Sequence, residues 1–509
     1  MNRQTIADVR AYRDAMLADP YRPGYHFAIP DDLGIPGDPN GAFFADGRYH
    51  LMYLYRNSTT GGFHWGHMSS VDLLHWRHHK DALTTHEGDG GCFSGGAFVD
   101  EDGTAYLTFW KFAAVDPAKD RSGIAMAYAK PPYEDWYRME PIAVNGSEWG
   151  ILERKTDGKT EYIGNADPSN IWKKDGRYYM QTGNLCVLNK YGRAEDSDEH
   201  LRGDWTDLFR SDDLRHWEYV HRFYRNPHAG EDWPDATEDD MCPSFLPLPD
   251  REQDGCLTDR WLQLFIAHNK GAQYYVGTLS DDGETFTPEQ HGRMSWRDNT
   301  CFAPEALVDD RNRQIAWFWL TDNPDNDFER FGWSGVYSLP RTLWLEDGEL
   351  HTAPVREVER LQYNRQQWMR NEKTEVLPVK NGTSFRLTAV FAADAGEPCG
   401  FAVRCSGDGT QETRIFYDPA SGKLVMDATK SGGEGRCIRE EAPFVLKEGE
   451  ELTLDIFVDR SVVEVFANRR QAICRRVYPT DPEAAGVKTI GAAHLVKADA
   501  WEMMPSNPY

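Results

Sequence analysis

Apolar positions follow a helical period once, at the start of the chain. Ile6, Val9, Tyr12 and Met16 predict one amphipathic helix over about residues 3–18. Beyond it that period is lost. Short aromatic and β-branched runs take over, cut by Asp-Gly and Gly-rich turns, and they predict strands throughout. Two later runs alternate cleanly: Thr383-Ser384-Phe385-Arg386-Leu387-Thr388-Ala389-Val390-Phe391 and Leu452-Thr453-Leu454-Asp455-Ile456-Phe457-Val458-Asp459. Such alternation predicts strands with one buried face.

The strand-rich region repeats itself. Ser70-Val71-Asp72-Leu73-Leu74-His75-Trp76 returns as Ser211-Asp212-Asp213-Leu214-Arg215-His216-Trp217 and, more faintly, as Ser280-Asp281-Asp282-Gly283-Glu284-Thr285-Phe286. The copies lie about 141 and about 69 residues apart, so the unit is near 70 residues, with Tyr133-Glu134-Asp135-Trp136 as a degenerate copy. A second marker, a turn before an aromatic strand, recurs at Asp46-Gly47, Asp102-Gly103 and Asp175-Gly176. Short-stranded repeats of this size predict propeller blades, with room for five. The chain is therefore read as all-β: a five-bladed β-propeller followed by a C-terminal β-sandwich. Residues 1–20 form the N-terminal helix, 21–350 the propeller, 351–374 a linker and 375–509 the sandwich. His75 and His216 are assigned to structure, because a catalytic set has no need to recur. Asp459 and Glu464 are expected to face solvent.

Composition narrows the partners. The 509 residues carry a net charge of −26, which opposes nucleic acid, a ligand that needs Lys and Arg to displace its counterions. A neutral sugar is indifferent to that field, and 17 Trp and 23 Tyr suit both sheet cores and sugar stacking. The nine Cys form neither a CxxC pair nor a zinc spacing, so free thiols in a reducing compartment are expected. The N-terminus is charged and lacks an apolar leader, and no apolar run is long enough to span a bilayer. A cytoplasmic monomer or homodimer is the expectation, or a secreted protein if a leader has been removed.

Three segments place carboxylates on pinned, apolar strand entrances. They are Gly37-Asp38-Pro39-Asn40-Gly41, Asn165-Ala166-Asp167-Pro168-Ser169 and Glu238-Asp239-Asp240-Met241-Cys242-Pro243. Each alone reads as an Asp-Pro turn or an acidic loop. Together they head three different blades, whose inner strands converge on one funnel.

At these residues the chain resembles glycoside hydrolase family 32, the invertase, inulinase and levanase family. Gly37-Asp38-Pro39-Asn40-Gly41 looks like its Asp-Pro-Asn-Gly motif, and Trp65-Gly66-His67 with Asp72–Trp76 its first-blade signature. Phe93-Ser94-Gly95-Gly96 resembles Phe-Ser-Gly-Ser, Ala166-Asp167-Pro168 stands for Arg-Asp-Pro and Cys242-Pro243 for Glu-Cys-Pro. Phe302-Ala303-Pro304-Glu305 resembles Tyr-Ala-Pro-Gln, and Phe457–Asn468 the C-terminal signature.

The resemblance implies a retaining hydrolase that releases terminal β-fructofuranosyl units from sucrose, fructo-oligosaccharides or fructans. It assigns Asp38 as nucleophile, Asp167 as transition-state stabiliser and a Glu of the third motif as acid/base, and it requires neither metal nor cofactor. Asn40, Trp65, Phe93, Ser94, Ala166 and Trp319 are the implied substrate contacts. Departures cluster at the sugar site: Ile35, Gly37, Leu54 and Ala166 stand where Trp, Asn, Gln and Arg are usual. Met241, not Glu, precedes Cys242; the register Glu-Asp-x-x-Cys-Pro selects Glu238, with Asp239 and Asp240 in reserve. The alternatives are a fructosyltransferase or cyclic-difructoside-acting enzyme, a hydrolase of another furanoside, and a non-catalytic sugar-binding propeller.

Overall fold

The computed structural model describes residues 3–29, 36–85, 89–113, 122–140, 143–226, 233–321, 333–370, 375–393 and 395–507. The expected helix is present as Arg3–Ala18, but its apolar stripe is not a core face. Only Met16 is buried, while Ile6, Val9 and Leu17 are exposed. Strands make up nearly all other regular structure. The chain divides into two units, one of Gly34–Trp319 with Thr342–Leu350, the other of Met1–Leu33, Leu320–Arg341 and His351–Tyr509.

The first unit is a succession of antiparallel sheets. A ten-stranded sheet runs from the edge strand Pro36–Ala45 through Arg48–Arg56 and Phe63–Ser70 to Ala105–Ala113 and Gly123–Ala129. Its two halves are joined by one parallel contact, Phe63 to Gly91. A five-stranded sheet follows from Ala166–Pro168 to Glu218–Arg225. The four-stranded meander Met241–Pro249 to Phe286–Arg293 comes next, then the pair Cys301–Val308 and Gln314–Leu320.

Hydrophobic cores lie between successive sheets. Ile124 and Met126 of the first pack with Met180 and Phe209 of the second. Trp172 and Phe223 of the second pack with Phe245, Phe265 and Phe286 of the third. Burying a side chain of this size contributes roughly 2–3 kcal/mol, so these seams hold the sheets together.

The repeated Ser-x-Asp segments are turns, as their recurrence suggested. Asp72 accepts from the backbone N–H of Leu74 and His75 and from His75 Nδ1, while Asp213 does the same for Arg215 and His216. Asp282 accepts from Glu284 N. Leu73, Leu214 and Gly283 all take the positive φ the turn demands (65°, 62° and 78°). The Asp-Gly markers close hairpins: Asp46-Gly47 has φ of 50° and 70°, Asp175-Gly176 of 50° and 80°.

Inner segments of the sheets are laced to one another. Thr108 Oγ1 donates to Ser169 O at 2.7 Å, and Asn170 exchanges two hydrogen bonds with the Phe245 backbone (2.9 and 2.7 Å). Ala42 N donates to Glu305 Oε1 at 2.8 Å. Approach here is close enough to require glycine: a Cβ on Gly96 would lie 2.3 Å from Asn170 N.

The second unit carries two antiparallel sheets. One orders Gln362–Met369, Leu495–Met503, Ser384–Phe391, Leu452–Asp459, Val462–Ala467 and Gln471–Arg476; the other orders Arg439–Pro443, Lys423–Lys430, Glu412–Asp418, Cys399–Cys405 and Gly486–Ile490. Strand Ser384–Phe391 buries every second residue, and Phe391 meets Phe401 of the other sheet at 5.6 Å. The stretch expected as linker includes Gln362–Met369, which pairs with Leu495–Met503.

Asp459 and Glu464 do not face solvent. Both are fully buried, and His26 lies between them, with Nδ1 3.1 Å from Asp459 Oδ2 and Nε2 3.2 Å from Glu464 Oε2. Asp459 also accepts the backbone N–H groups of Gly24, Tyr25 and His26, each at 2.7 Å. Glu464 accepts from Arg341 Nε at 2.9 Å and Leu339 N at 3.2 Å. Strand alternation predicted which side each residue occupies, but the outer side of this sheet is covered by residues 24–26 and 339–341.

Candidate active site

Each acidic segment sits on an edge strand whose ladder is broken at the residue of interest. The pairing of Pro36–Ala45 shifts between Pro36 and Pro39 and again between Asn40 and Phe43. That of Ala166–Pro168 shifts between Ala166 and Pro168, and that of Met241–Pro249 between Met241 and Ser244. Asp167 and Cys242, each before a proline, take φ of 41° and 49°. A left-handed non-glycine residue costs about 1–3 kcal/mol. The bulge re-aims the side chain off the sheet plane.

All three side chains enter one cavity of about 570 Å³. Cys242 Sγ lies 3.6 Å from Asp38 Oδ2 and 3.4 Å from Asp167 Oδ2, so one thiol touches both carboxylates. Ser94 Oγ donates to the same Asp38 oxygen. Neither carboxylate has an Arg or Lys ion pair among the described residues. Burial therefore raises the Asp38 pKa against the Ser94 and Cys242 hydrogen bonds and the His268 charge. For Asp167, burial and then the Asp38 charge raise the pKa to about 7.

A proton held to about pH 7 makes folding less favourable as pH rises from the ordinary carboxylate range, because the folded carboxyl binds it more tightly than the unfolded one. Asp167→Asn is therefore expected to raise the melting temperature at pH 7–8 relative to pH 4–5. It is also expected to remove a carboxyl titration near pH 7 from the infrared difference spectrum.

The cavity wall is aromatic. Trp110 and Trp149 stack with centroids 5.1 Å apart, Phe93 packs on Trp110 at 5.3 Å, and Trp149 is 53% exposed. Short helical turns, Leu185–Val187 and Leu188–Gly192, add Cys186, Asn189 and Lys190. Lys190 pairs with Glu148 at 2.5 Å, and both line the cavity. Such stacked indoles present a flat face to a sugar ring.

Of the sequence-assigned residues, Asp38, Asp167, Phe93 and Ser94 line this cavity, and so does Leu54. Asn40 does not; it braces the Asp38 segment, donating to Asp38 O at 3.0 Å and accepting from Gly95 N at 3.1 Å. Trp65 is fully buried in the core between the halves of the first sheet, and Ala166 is fully buried as well. Trp319 stands beside Gly37 and 5.9 Å from Phe302, outside the lining. Ile35 lies outside the described residues.

Glu238 and its neighbours turn away. Glu238 is clamped by Arg293 (2.9 and 3.0 Å) and Gln273 (2.6 Å), and is 1% exposed. Asp240 accepts from Tyr224 at 2.5 Å and from Gln263 at 3.1 Å. Asp239 accepts from His268, through Nδ1 at 2.8 Å and the backbone N–H at 3.2 Å. The residue sequence reasoning missed is His268, which lines the cavity with the two carboxylates. Its hairpin position was the available signal: two steps beyond the ladder pair Met241–Ile266, Asp239 and His268 face each other.

The chain is similar to known proteins over nearly its whole length. Residues 26–354 match the model of the glycosyl hydrolases family 32 N-terminal domain, and 357–502 that of the glycosyl hydrolases family 32 C terminal. The chain is 27% identical to a levanase of Bacillus subtilis, over 95% of this chain and 70% of that one. It is 28% identical to a raffinose invertase of Escherichia coli, over 91% of each. Fructan 1-exohydrolase IIa of Cichorium intybus shares the fold, with a TM-score of 0.78 at 22% identity over 96% of this chain and 98% of that one.

Proposed function

The chain belongs to glycosyl hydrolase family 32, and from that premise we propose that it releases terminal β-fructofuranosyl units from sucrose, fructo-oligosaccharides or fructans by double displacement. It is a glycoside hydrolase of the β-fructofuranosidase kind. One observation carries the mechanism: two unneutralised carboxylates from neighbouring sheets meet at one thiol inside an aromatic cavity. Asp38, held by Ser94, attacks the anomeric carbon and forms a glycosyl ester. Asp167, protonated or ionised according to its neighbour, bonds the ring hydroxyls as positive charge develops on the sugar. Laced inner segments and the repeat near 70 residues support five blades around this site, with the second unit as a sandwich.

Three positions at which the family resemblance implies a polar sugar contact carry none in this chain. Leu54 lines the cavity, Ala166 is buried, and Gly37 packs on Trp319. Recognition therefore leans on Trp110 and Trp149. That aromatic wall also favours a second reading, transfer of the fructosyl unit to a sugar acceptor stacked there. Sucrose, inulin, levan, cyclic difructosides and arabinofuranosides, incubated separately and resolved by chromatography, test both. Free fructose from at least one fructoside is expected. Longer oligosaccharides at high substrate would favour transfer; arabinose release, or fructoside binding without turnover, would overturn the proposal.

A further inference from the structure

Double displacement needs a group that protonates the leaving oxygen and later activates water. The acids before Cys242 are spent elsewhere: Glu238 on Arg293, Asp240 on Tyr224 and Asp239 on His268. We propose that His268, oriented by Asp239, is the acid/base of this site in place of a carboxylic acid, an inference that rests on the fructofuranosidase reading.

The geometry is that of an oriented imidazole. Asp239 is fully buried, and its two oxygens take the backbone N–H and the Nδ1 proton of His268, fixing ring and tautomer. Among the described residues Nε2 is left as the ring's free nitrogen, on a side chain that lines the cavity with Asp38 and Asp167 and is 45% exposed. Phe302 packs edge-on at 5.8 Å and limits ring rotation.

The charges around the ring favour imidazolium. Asp239 lies behind it, and Asp38 and Asp167 belong to the same cavity. Arg193 stands 3.9 Å from Asp239, and Glu148 and Lys190 are paired with each other. Burial alone would lower the His268 pKa, but the Asp239 hydrogen bond and the three carboxylate charges outweigh it and raise the value. Asp38 and Asp167 are in turn pushed upward by burial, so the proton inventory of the cavity is shared by three groups.

The steps balance. In the first, an Asp38 oxygen bonds to the anomeric carbon, the bond to the leaving oxygen breaks, and the Nε2 proton passes to that oxygen. The products are an alcohol, a glycosyl ester and neutral imidazole. In the second, Nε2 takes a proton from water as its oxygen attacks the anomeric carbon; the ester bond breaks, and free sugar, Asp38 carboxylate and imidazolium return.

His268→Gln tests this on two substrates, sucrose, whose leaving group needs a proton, and 4-nitrophenyl β-fructofuranoside, whose leaving group does not. The expected result is a fall in sucrose kcat of about 10²–10⁴-fold, a far smaller fall in nitrophenolate release, and azide rescue yielding fructosyl azide. Asp239→Asn should give a weaker version, with the alkaline limb of kcat/KM moved downward. Should His268→Gln not fold, the wild-type alkaline limb decides: an imidazole shifts clearly with temperature, a carboxyl hardly at all. Equal losses on both substrates, or the leaving-group signature in Glu238→Gln instead, would overturn the assignment while leaving the parent reading intact. A wild-type protein that turns over no fructoside would remove both.

Discussion

Asp38→Asn is expected to abolish turnover of β-fructofuranosides, on the order of 10⁴-fold or more in kcat, with the fold unchanged. The substitution is isosteric and keeps an oxygen for Ser94 Oγ, whose hydrogen bond holds the side chain in the cavity. An amide cannot attack the anomeric carbon and leave again as a carboxylate. Asp167 cannot replace it, since its backbone is fixed at φ 41° on another sheet and its carboxyl keeps a proton to about pH 7. Acid-quenched wild-type enzyme should carry one extra fructosyl unit on the peptide spanning Gly37–Gly41, and the variant none. A fully active Asp38→Asn, or label on another peptide, would sink the nucleophile assignment.

A second large effect concerns folding. Glu464→Ala is expected to destabilise the protein by about 3–5 kcal/mol, because it removes the buried carboxylate shared by Arg341 and His26 and leaves His26 with Asp459 alone of its two carboxylates. Equilibrium denaturation of the variant against wild type measures this; a change under 1 kcal/mol, a tolerance typical of exposed sites, would show that the cluster contributes little.

The same cluster sets a pH window. Burial lowers the His26 pKa, but its hydrogen bonds to Asp459 and Glu464 outweigh that and leave the value raised. That contribution is complete below the unfolded histidine value and lost as pH rises through the folded one. Burial raises Asp459 and Glu464, yet His26 outweighs it for Asp459, and Arg341 with His26 for Glu464, so both end lowered. Their contribution is present above the unfolded carboxylate values and lost as pH falls through the folded ones. Stability from this cluster should therefore peak between the two ranges, and Glu464→Ala should flatten that peak.

Local order was legible from sequence because it is encoded within a few residues. Alternation in Ser384–Phe391 is a one-dimensional signal, and the strand buries the residues it names. The Ser-x-Asp repeats are turns whose hydrogen bonds close within three residues, so their recurrence alone marks them as structural. Proline and glycine around Asp38 and Asp167 likewise pointed to pinned strand entrances, and the cavity holds both residues.

Partners distant in sequence were not legible. Trp65 and Ala166 belong to motifs that suggest sugar contact, yet each is buried, Trp65 in the core between the halves of the first sheet. Asp459 and Glu464 occupy the outer positions that alternation suggested, and become the buried anchor of His26 only because residues 24–26 and 339–341, distant from them in sequence, cover that face. Glu238 was the reasonable acid from its register with Cys242. Arg293, 55 residues away, neutralises it and turns it from the cavity.

The sequence by itself determined the strands, the turns, the family and the position of Asp38, since each is set by residues that touch within one hairpin or one motif. Only the tertiary structure decided which carboxylates stay unpaired and which group stands beside them. A bulge at Cys242 and the pairing of Asp239 with His268 across a hairpin swing one set of side chains inward and another outward. That choice depends on the direction of a side chain relative to sheets the local sequence does not contain.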